Sequence, residues 1–373
     1  MYHLLVIRRL YIHNFRCLEN FELPVSRQPS VLLIGKNGAG KSTVGLALQI
    51  LQKIARGTNR IGELVRPKDM TSGRSGVPMR FEVEVVLESE TYTYAIAFEL
   101  PERFKELRVL EEKLLVGSRP LFTRQLSQVH LARTGQDTAA QFSIDWHLAA
   151  LPIIQQRPED PLSIFRQWLS RMLILKPIPS LISGDSQDDT LFPSVDVSDF
   201  GAWFSGLLAE APSAYTKIDE YLRQVMPDIR SIKNPEMGVD ARSIVIQFSS
   251  ERRNLDVPFR DLSDGEKCFM ICALVLAAND AYGPLLCFWD EPDNHLALSE
   301  VGHFVMALRK GFQTGGQLIM TSHNDEAIRR FSNENTLVLQ RRNHLEPTTV
   351  RPLTEVPVSG DLIGALVRDD IAS

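Results

Sequence analysis

Gly35-Lys36-Asn37-Gly38-Ala39-Gly40-Lys41-Ser42-Thr43 fills every fixed position of the phosphate-binding pattern G-x-x-x-x-G-K-[ST]. Val31-Leu32-Leu33-Ile34 in front of it reads as a short buried strand, and apolar residues recur at helical spacing behind it, from Thr43 to Ala55. Strand, glycine loop and helix are the context the pattern requires, so the stretch predicts a nucleoside triphosphate site. Gly38 and Gly40 would let successive backbone N–H groups turn toward the phosphates at the start of a helix whose dipole favours anions. Lys41 is expected to bridge the β- and γ-phosphates, and the Ser42 hydroxyl to ligate Mg²⁺.

A second cluster lies far down the chain. Pro284-Leu285-Leu286-Cys287-Phe288-Trp289-Asp290-Glu291-Pro292 is a buried-strand pattern ending in two carboxylates, as in a Walker B segment. Asp290 would hold Mg²⁺ through water, and Glu291 would act as general base on the attacking water. Between the two clusters stands Asp261-Leu262-Ser263-Asp264-Gly265-Glu266-Lys267, ahead of a helical run from Cys268 to Ala278. Past the carboxylates, Thr321-Ser322-His323-Asn324 follows the apolar run Gln317-Leu318-Ile319-Met320.

Four motifs in this order resemble the ABC-type ATPases. Within them the chain is similar to the RecF/SMC-like AAA-family ATPases of DNA repair and phage defence. Leu10-Tyr11-Ile12-His13-Asn14-Phe15-Arg16 matches that group's I-x-N-F-R opening, and Glu291-Pro292-Asp293-Asn294-His295-Leu296 its E-P-E-N-H-L segment, where transporters usually read S-A-L-D. More than two hundred positions separate Lys41 from Ser263, about twice the transporter spacing, so the resemblance implies an inserted lobe.

The resemblance also implies a mechanism that needs two heads around two ATP molecules. Ser263, Asp264, Gly265 and Glu266 would form the signature acting in trans on the γ-phosphate. His323 would sense that phosphate, Asp293, Asn294 and His295 would form the coupling loop, and Arg16 would reach toward the nucleotide. Asp264 and Glu266 replace the Gly and Gln of the transporter signature L-S-G-G-Q. The family's metal-contacting glutamine has no clear counterpart, although Gln128, Gln155 and Gln156 lie in the expected interval.

Composition fits a cytoplasmic enzyme: 373 residues, 44% hydrophobic, net charge −5. The longest apolar run, Cys268 to Ala278, falls short of the roughly 17 to 25 residues that span a bilayer, so no membrane partner is expected. The opening Met1-Tyr2-His3-Leu4-Leu5-Val6-Ile7 lacks the basic flank and cleavage site of a leader and reads as an edge strand. Cys17, Cys268, Cys272 and Cys287 include no C-x-x-C pair and read as reduced core residues, which sets the chain apart from the zinc-hook repair ATPases.

The expected fold class is α/β: a P-loop NTPase of ABC-ATPase head type with a mixed sheet core, an antiparallel β subdomain and an inserted helical lobe. Residues 1–150 would form ATPase lobe I, with a hairpin over Phe81–Glu88 and Thr91–Glu99. Residues 151–228 would form the helical lobe or lid, with helices over Leu162–Leu175, Ser198–Glu210 and Ala214–Val225. Residues 229–344 would form lobe II, and 345–373 a tail.

Between positions 51 and 80, Lys53, Arg56, Arg60, Arg66, Lys68, Arg74 and Arg80 outnumber Glu63 and Asp69, a candidate non-specific nucleic-acid contact. The function these features predict is an ATP-hydrolysing, Mg²⁺-dependent conformational switch, working as a homodimer or head-to-head dimer in DNA maintenance or phage defence. A separate nuclease or toxin subunit would be its effector, since no TOPRIM-like acidic cluster follows the ATPase motifs. A slow-turnover ATP-held scaffold that sequesters an effector is the alternative, with a transporter ATPase behind it.

Overall fold

The computed structural model describes residues 7–26, 28–132, 140–155, 157–238, 240–251 and 253–356. These form two compact units, one built from the chain up to Met172 together with the segment from Ser332, the other from Leu173 to Phe331.

The first unit opens with β1 (Ile7–His13), β2 (Phe21–Leu23) and the wholly buried β3 (Ser30–Ile34), which runs into the glycine loop and α1 (Lys41–Ala55). A short α2 (Ile61–Leu64) follows. An antiparallel run then comprises β4 (Met79–Leu87), β5 (Glu90–Glu99), β6 (Arg108–Val116), β7 (Arg119–Gln125), β8 (Gln128–Leu131) and β9 (Ala140–Ser143). With β2 and β1 added at one edge these make an eight-stranded sheet, order β2-β1-β4-β5-β6-β7-β8-β9. The expected hairpin is β4–β5. Its turn residues Glu88 and Ser89 both have positive φ, the backbone of a type I′ turn that matches the twist of the strands it joins. Of the opening segment read as an edge strand, residues 1–6 lie outside the described residues.

Helix α3 (Pro161–Ser170) starts on a proline at its first position and packs on α1, where the Gln52 amide donates to the Met172 carbonyl and Arg56 Nε to Ser170 O at 2.9 Å. The helix expected over Leu162–Leu175 therefore ends early. Its last residues instead form the strand β10 (Leu173–Leu175), because an apolar run this short fits a buried strand as well as a helix end, and here it finds a strand to pair with.

In the second unit, β10 lies parallel to β16, introduced below. Between them come β11 (Asp185–Ser186), α4 (Phe200–Glu210), α5 (Ala214–Val225) and the strands β12 (Ile229–Lys233), β13 (Arg242–Ser243), β14 (Val245–Ser250) and β15 (Arg253–Pro258). β12, β14 and β15 form an antiparallel sheet, and β11 pairs with β13. Helix α6 (Asp264–Tyr282) is apolar on almost every side and correspondingly buried, with Cys268 and Cys272 among its core residues. Burial pushes the Cys268 thiol up to about 12, so both read as packing residues.

β16 (Leu286–Trp289) carries the two carboxylates at its end and is flanked by β10 and by β17 (Gln317–Thr321), all three parallel. α7 (Leu298–Gln313) and α8 (Asp325–Arg329) complete this unit. The chain then returns to the first, where β18 (Thr336–Gln340) lies parallel to β3 and antiparallel to β19 (Thr349–Pro352). No described helix is long and apolar enough to cross a membrane.

One buried charge cluster holds the large sheet to the segment that follows it. Glu112 and Arg124, on β6 and β7, are both fully buried and 3.5 Å apart. Glu112 accepts the N–H groups of Ala150 (2.6 Å) and Leu151 (2.9 Å) and the Tyr94 hydroxyl, while Arg124 donates to the carbonyls of Leu126, Leu148 and Asp145. Burial raises the Glu112 pKa even against these partners. Truncating one member strands the other charge in the core, so Glu112→Ala should lose about 3–5 kcal/mol of unfolding free energy. Adding Arg124→Met should return part of that loss, measurable by urea denaturation of the single and double variants.

Candidate functional site

In the first unit the glycine loop is shaped by its neighbours. Gly40 has φ +101°, and a Cβ there would stand 2.9 Å from Cys17 Sγ and 3.0 Å from Thr348 Oγ1, so both backbone conformation and space demand glycine. Gly38, at φ +81°, is the opposite case, with open space on all sides of the missing Cβ where a ligand could approach the backbone. Ala39 is buried beneath the loop, whereas Lys36, Asn37 and Ser42 are exposed and Gly35 and Thr43 partly so. The Lys41 ammonium folds back over the loop and donates to the carbonyls of Gly35 (2.7 Å) and Lys36 (3.2 Å). Helix α1 has no acidic residue in its first turn and no side-chain cap on its first amides. A helix start with no acid of its own suits an anion.

Arg16 sits elsewhere in this unit's bonding. Its guanidinium lies 3.2 Å from Asp69 Oδ1, its N–H donates to Asp69 O, and its φ is +53°. The basic segment is likewise partly committed: Arg56 binds the carbonyls of Ser170 and Met172, Arg74 pairs with Glu19, and Arg80 with Glu82 and Glu111. Gln128 is spent on Ser143 and Gln141 along the sheet, Gln155 is exposed, and Gln156 lies outside the described residues.

In the second unit Asp290 is nearly buried, at 5% exposure. One carboxylate oxygen accepts the Thr321 hydroxyl (2.7 Å) and the other the Lys176 ammonium (2.8 Å). Glu291 has φ +52°, a left-handed conformation that costs a non-glycine residue about 1 kcal/mol or more. Its N–H donates to Thr321 Oγ1 at 2.9 Å, its Oε2 accepts Asn294 Nδ2 at 2.7 Å, and His323 Nε2 lies 3.5 Å from its Oε1. Asp293 is buried and accepts the Ser322 hydroxyl at 2.7 Å, and burial raises its pKa. The sequence-predicted residues Asp290, Glu291, Asp293, Asn294 and His323 are thus brought together by β16 and β17.

The signature forms the N-terminus of α6. Ser263 is the N-cap, and its N–H and hydroxyl both donate to Glu266 Oε2 (2.8 and 2.7 Å) while Glu266 N–H returns a bond to Ser263 Oγ (3.3 Å), a capping box. Asp264 faces the coupling loop, 3.5 Å from His295 Nδ1. A Cβ on Gly265 would stand 3.1 Å from the His295 carbonyl, so the loop packs directly over the signature.

The residues fit the groups expected of them. A lysine ammonium and uncapped helix amides suit phosphates, and a serine hydroxyl and a carboxylate are hard oxygen ligands of the kind Mg²⁺ takes, with water and phosphate completing its shell.

The chain belongs to the family described as "AAA domain, putative AbiEii toxin, Type IV TA system", which matches residues 30–329, and it is a RecF/SMC-like ABC-type P-loop ATPase. In fold it is similar to a solved SMC head bound to the C-winged helix domain of ScpA, with a TM-score of 0.56 at 14% identity over 93% of this chain and 98% of that one. The OLD nuclease of Thermus scotoductus is 41% identical over 46 residues, 12% of this chain and 8% of the relative. The zinc import ATP-binding protein ZnuC 1 of Hahella chejuensis is 30% identical over 122 residues, 32% of this chain and 45% of the relative. The chain thus spans less than half the length of these curated relatives.

Two residues at the site escaped sequence reasoning. Thr321 has a local signal, a hydroxyl at the end of the strand beside the carboxylates. Lys176 has none, because only the pairing of β10 with β16 brings it to Asp290. The buried Thr321 hydroxyl serves both Asp290 and the Glu291 amide, so Thr321→Val, which keeps the shape, should cost about 1–3 kcal/mol of stability in chemical denaturation.

Proposed function

We propose that the protein binds ATP with Mg²⁺ and hydrolyses it to ADP and phosphate, as an ABC-type ATPase that closes head to head with a second copy around two nucleotides. The observation that carries this reading is the hold on Glu291: its backbone fixed by Thr321, one carboxylate oxygen by Asn294, and the other next to His323. A general base works from a fixed orientation within reach of water, and Glu291 is held at its backbone and carboxylate while partly exposed.

In the first unit the amides of the Gly35–Thr43 loop and Lys41 would hold the β- and γ-phosphates, with Arg16 available near them once released from Asp69. Ser42 and Asp290 are the residues that would hold Mg²⁺, whose chemistry there would be charge neutralisation at the phosphates. Glu291 takes the proton of the attacking water as the new oxygen–phosphorus bond forms, and the bond to the bridging oxygen breaks with its electron pair leaving on ADP. His323 senses the γ-phosphate. Ser263, Gly265 and their helix end act from the second copy, and Asp293, Asn294 and His295 pass the state of the nucleotide on.

The biological output belongs with a separate effector, a nuclease or toxin, in DNA maintenance or phage defence. The family description and the match to the OLD nuclease support that direction. Lys53, Arg60, Arg66 and Lys68 make the better nucleic-acid contacts, since three other basic residues of their segment are committed internally.

One observation favours the second reading, an ATP-held scaffold that turns over slowly. The Ser263 hydroxyl donates to Glu266, so a γ-phosphate arriving in trans must displace a carboxylate of like charge.

Steady-state hydrolysis and solution mass with Mg²⁺ and ATP test both readings. Glu291→Gln should lower kcat by at least about 100-fold while an ATP-dependent dimer accumulates, and Lys41→Ala should lose nucleotide binding. Wild-type turnover in Glu291→Gln would overturn the assignment. Binding and dimerisation without turnover in the wild type would establish the scaffold.

A further inference from the structure

Three acidic residues follow one another closely after β16. Asp290 and Glu291 are consecutive, and Asp293 lies buried two residues further on. A nearly buried carboxylate such as that of Asp290 needs a cation or hydrogen-bond donors beside it. Lys176 supplies the cation. It follows the last residue of β10, and because β10 and β16 run parallel with Leu175 opposite Trp289, residues 176 and 290 emerge side by side at the same strand ends. The backbone there is fixed from two sides, with Asp290 N–H donating to Leu175 O at 2.8 Å and Lys176 N–H to Val195 O at 2.7 Å. The side chain is not fixed in the same way: it is 58% exposed, and only its ammonium reaches in, to 2.8 Å from Asp290 Oδ2.

We propose that Lys176 is a metal-competing residue: its ammonium holds the carboxylate oxygen of Asp290 that a divalent cation's water shell needs, and swings to solvent when the cation takes its place. The inference rests on the assignment of Asp290 to the metal and deepens it by naming what the metal must displace. Three features converge. The contacted carboxylate is nearly buried while the ammonium comes from the open side, so the pair is built to be opened from solvent. The Thr321 hydroxyl keeps the other oxygen of Asp290 oriented whichever cation is present. The level ends of the paired strands place the ammonium where it offsets the Asp290 charge that a divalent ion would offset. Metal binding would then be weak on its own and strong only when a nucleotide brings further ligands. Such an arrangement keeps the Asp290 carboxylate neutralised between nucleotides without committing the protein to a resident metal.

Titration of the protein with Mn²⁺ alone, without nucleotide, by calorimetry and electron paramagnetic resonance tests this. Lys176→Gln and Lys176→Met should each bind Mn²⁺ roughly tenfold more tightly than the wild type, since a unit positive charge is removed from the metal's position. Lys176→Arg should stay near the wild type, and Asp290→Asn in the Lys176→Gln background should abolish the gain. Mg²⁺ alone should raise the Tm of Lys176→Gln and leave the wild type nearly unmoved. Equal Mn²⁺ affinity in wild type and both neutral variants, or an arginine variant that gains affinity as they do, would overturn the proposal. The ATPase reading fails separately, on ATP binding and hydrolysis by the wild type, neither of which enters the Mn²⁺ comparison.

Discussion

A single hydroxyl organises the carboxylate-bearing end of β16 in the second unit. Thr321 ends β17, and its Oγ1 donates to Asp290 and accepts the amide of Glu291, so two consecutive carboxylate residues are set from one point on the neighbouring strand. The left-handed backbone of Glu291 follows from this, because the chain must turn sharply to send Asp290 inward and Glu291 outward. The same turn delivers Asp293 to Ser322 and Asn294 to Glu291. Side-by-side parallel strands make the arrangement possible: their carboxyl ends are level, so residues far apart in sequence emerge together.

The two helix N-termini that the family's chemistry calls on are prepared in opposite ways. That of α1 has no acid in its first turn and no side-chain cap from its N-cap residue, which suits an anion there. That of α6 carries Asp264 and Glu266 and closes a capping box on Ser263. The first end is ready for an anion, while the second is already satisfied by its own carboxylates and stable as it stands. Asp264, the departure from the transporter signature, is turned toward His295.

Much of this could be read from the sequence wherever the signal is local. The glycine loop between β3 and α1, the β4–β5 hairpin, α5 and the carboxylate-tipped β16 all depend on residues within a few positions of one another. What stayed hidden depends on partners far away. β10 is three residues long, too short for periodicity to separate from the end of α3, and only its pairing with β16 makes it a strand. Lys176 was lost with it. Glu112 was hidden differently: a register shift between Ala97 and Phe98 leaves an extra residue on β6 and reverses the strand's alternation, so a glutamate that simple parity would send outward points into the core.

The pairing of β18 with β3 has a further consequence. The antiparallel run from β4 to β9 joins each strand to the next and can form as soon as those residues are made. The strand that leads into the glycine loop meets its partner through Leu33 and Leu337, after the whole of the second unit has been synthesised. A ribosome-bound chain therefore carries the glycine loop long before β3 has β18 beside it. The strand that supports the glycine loop is thus completed late in synthesis, after the antiparallel run can already have formed.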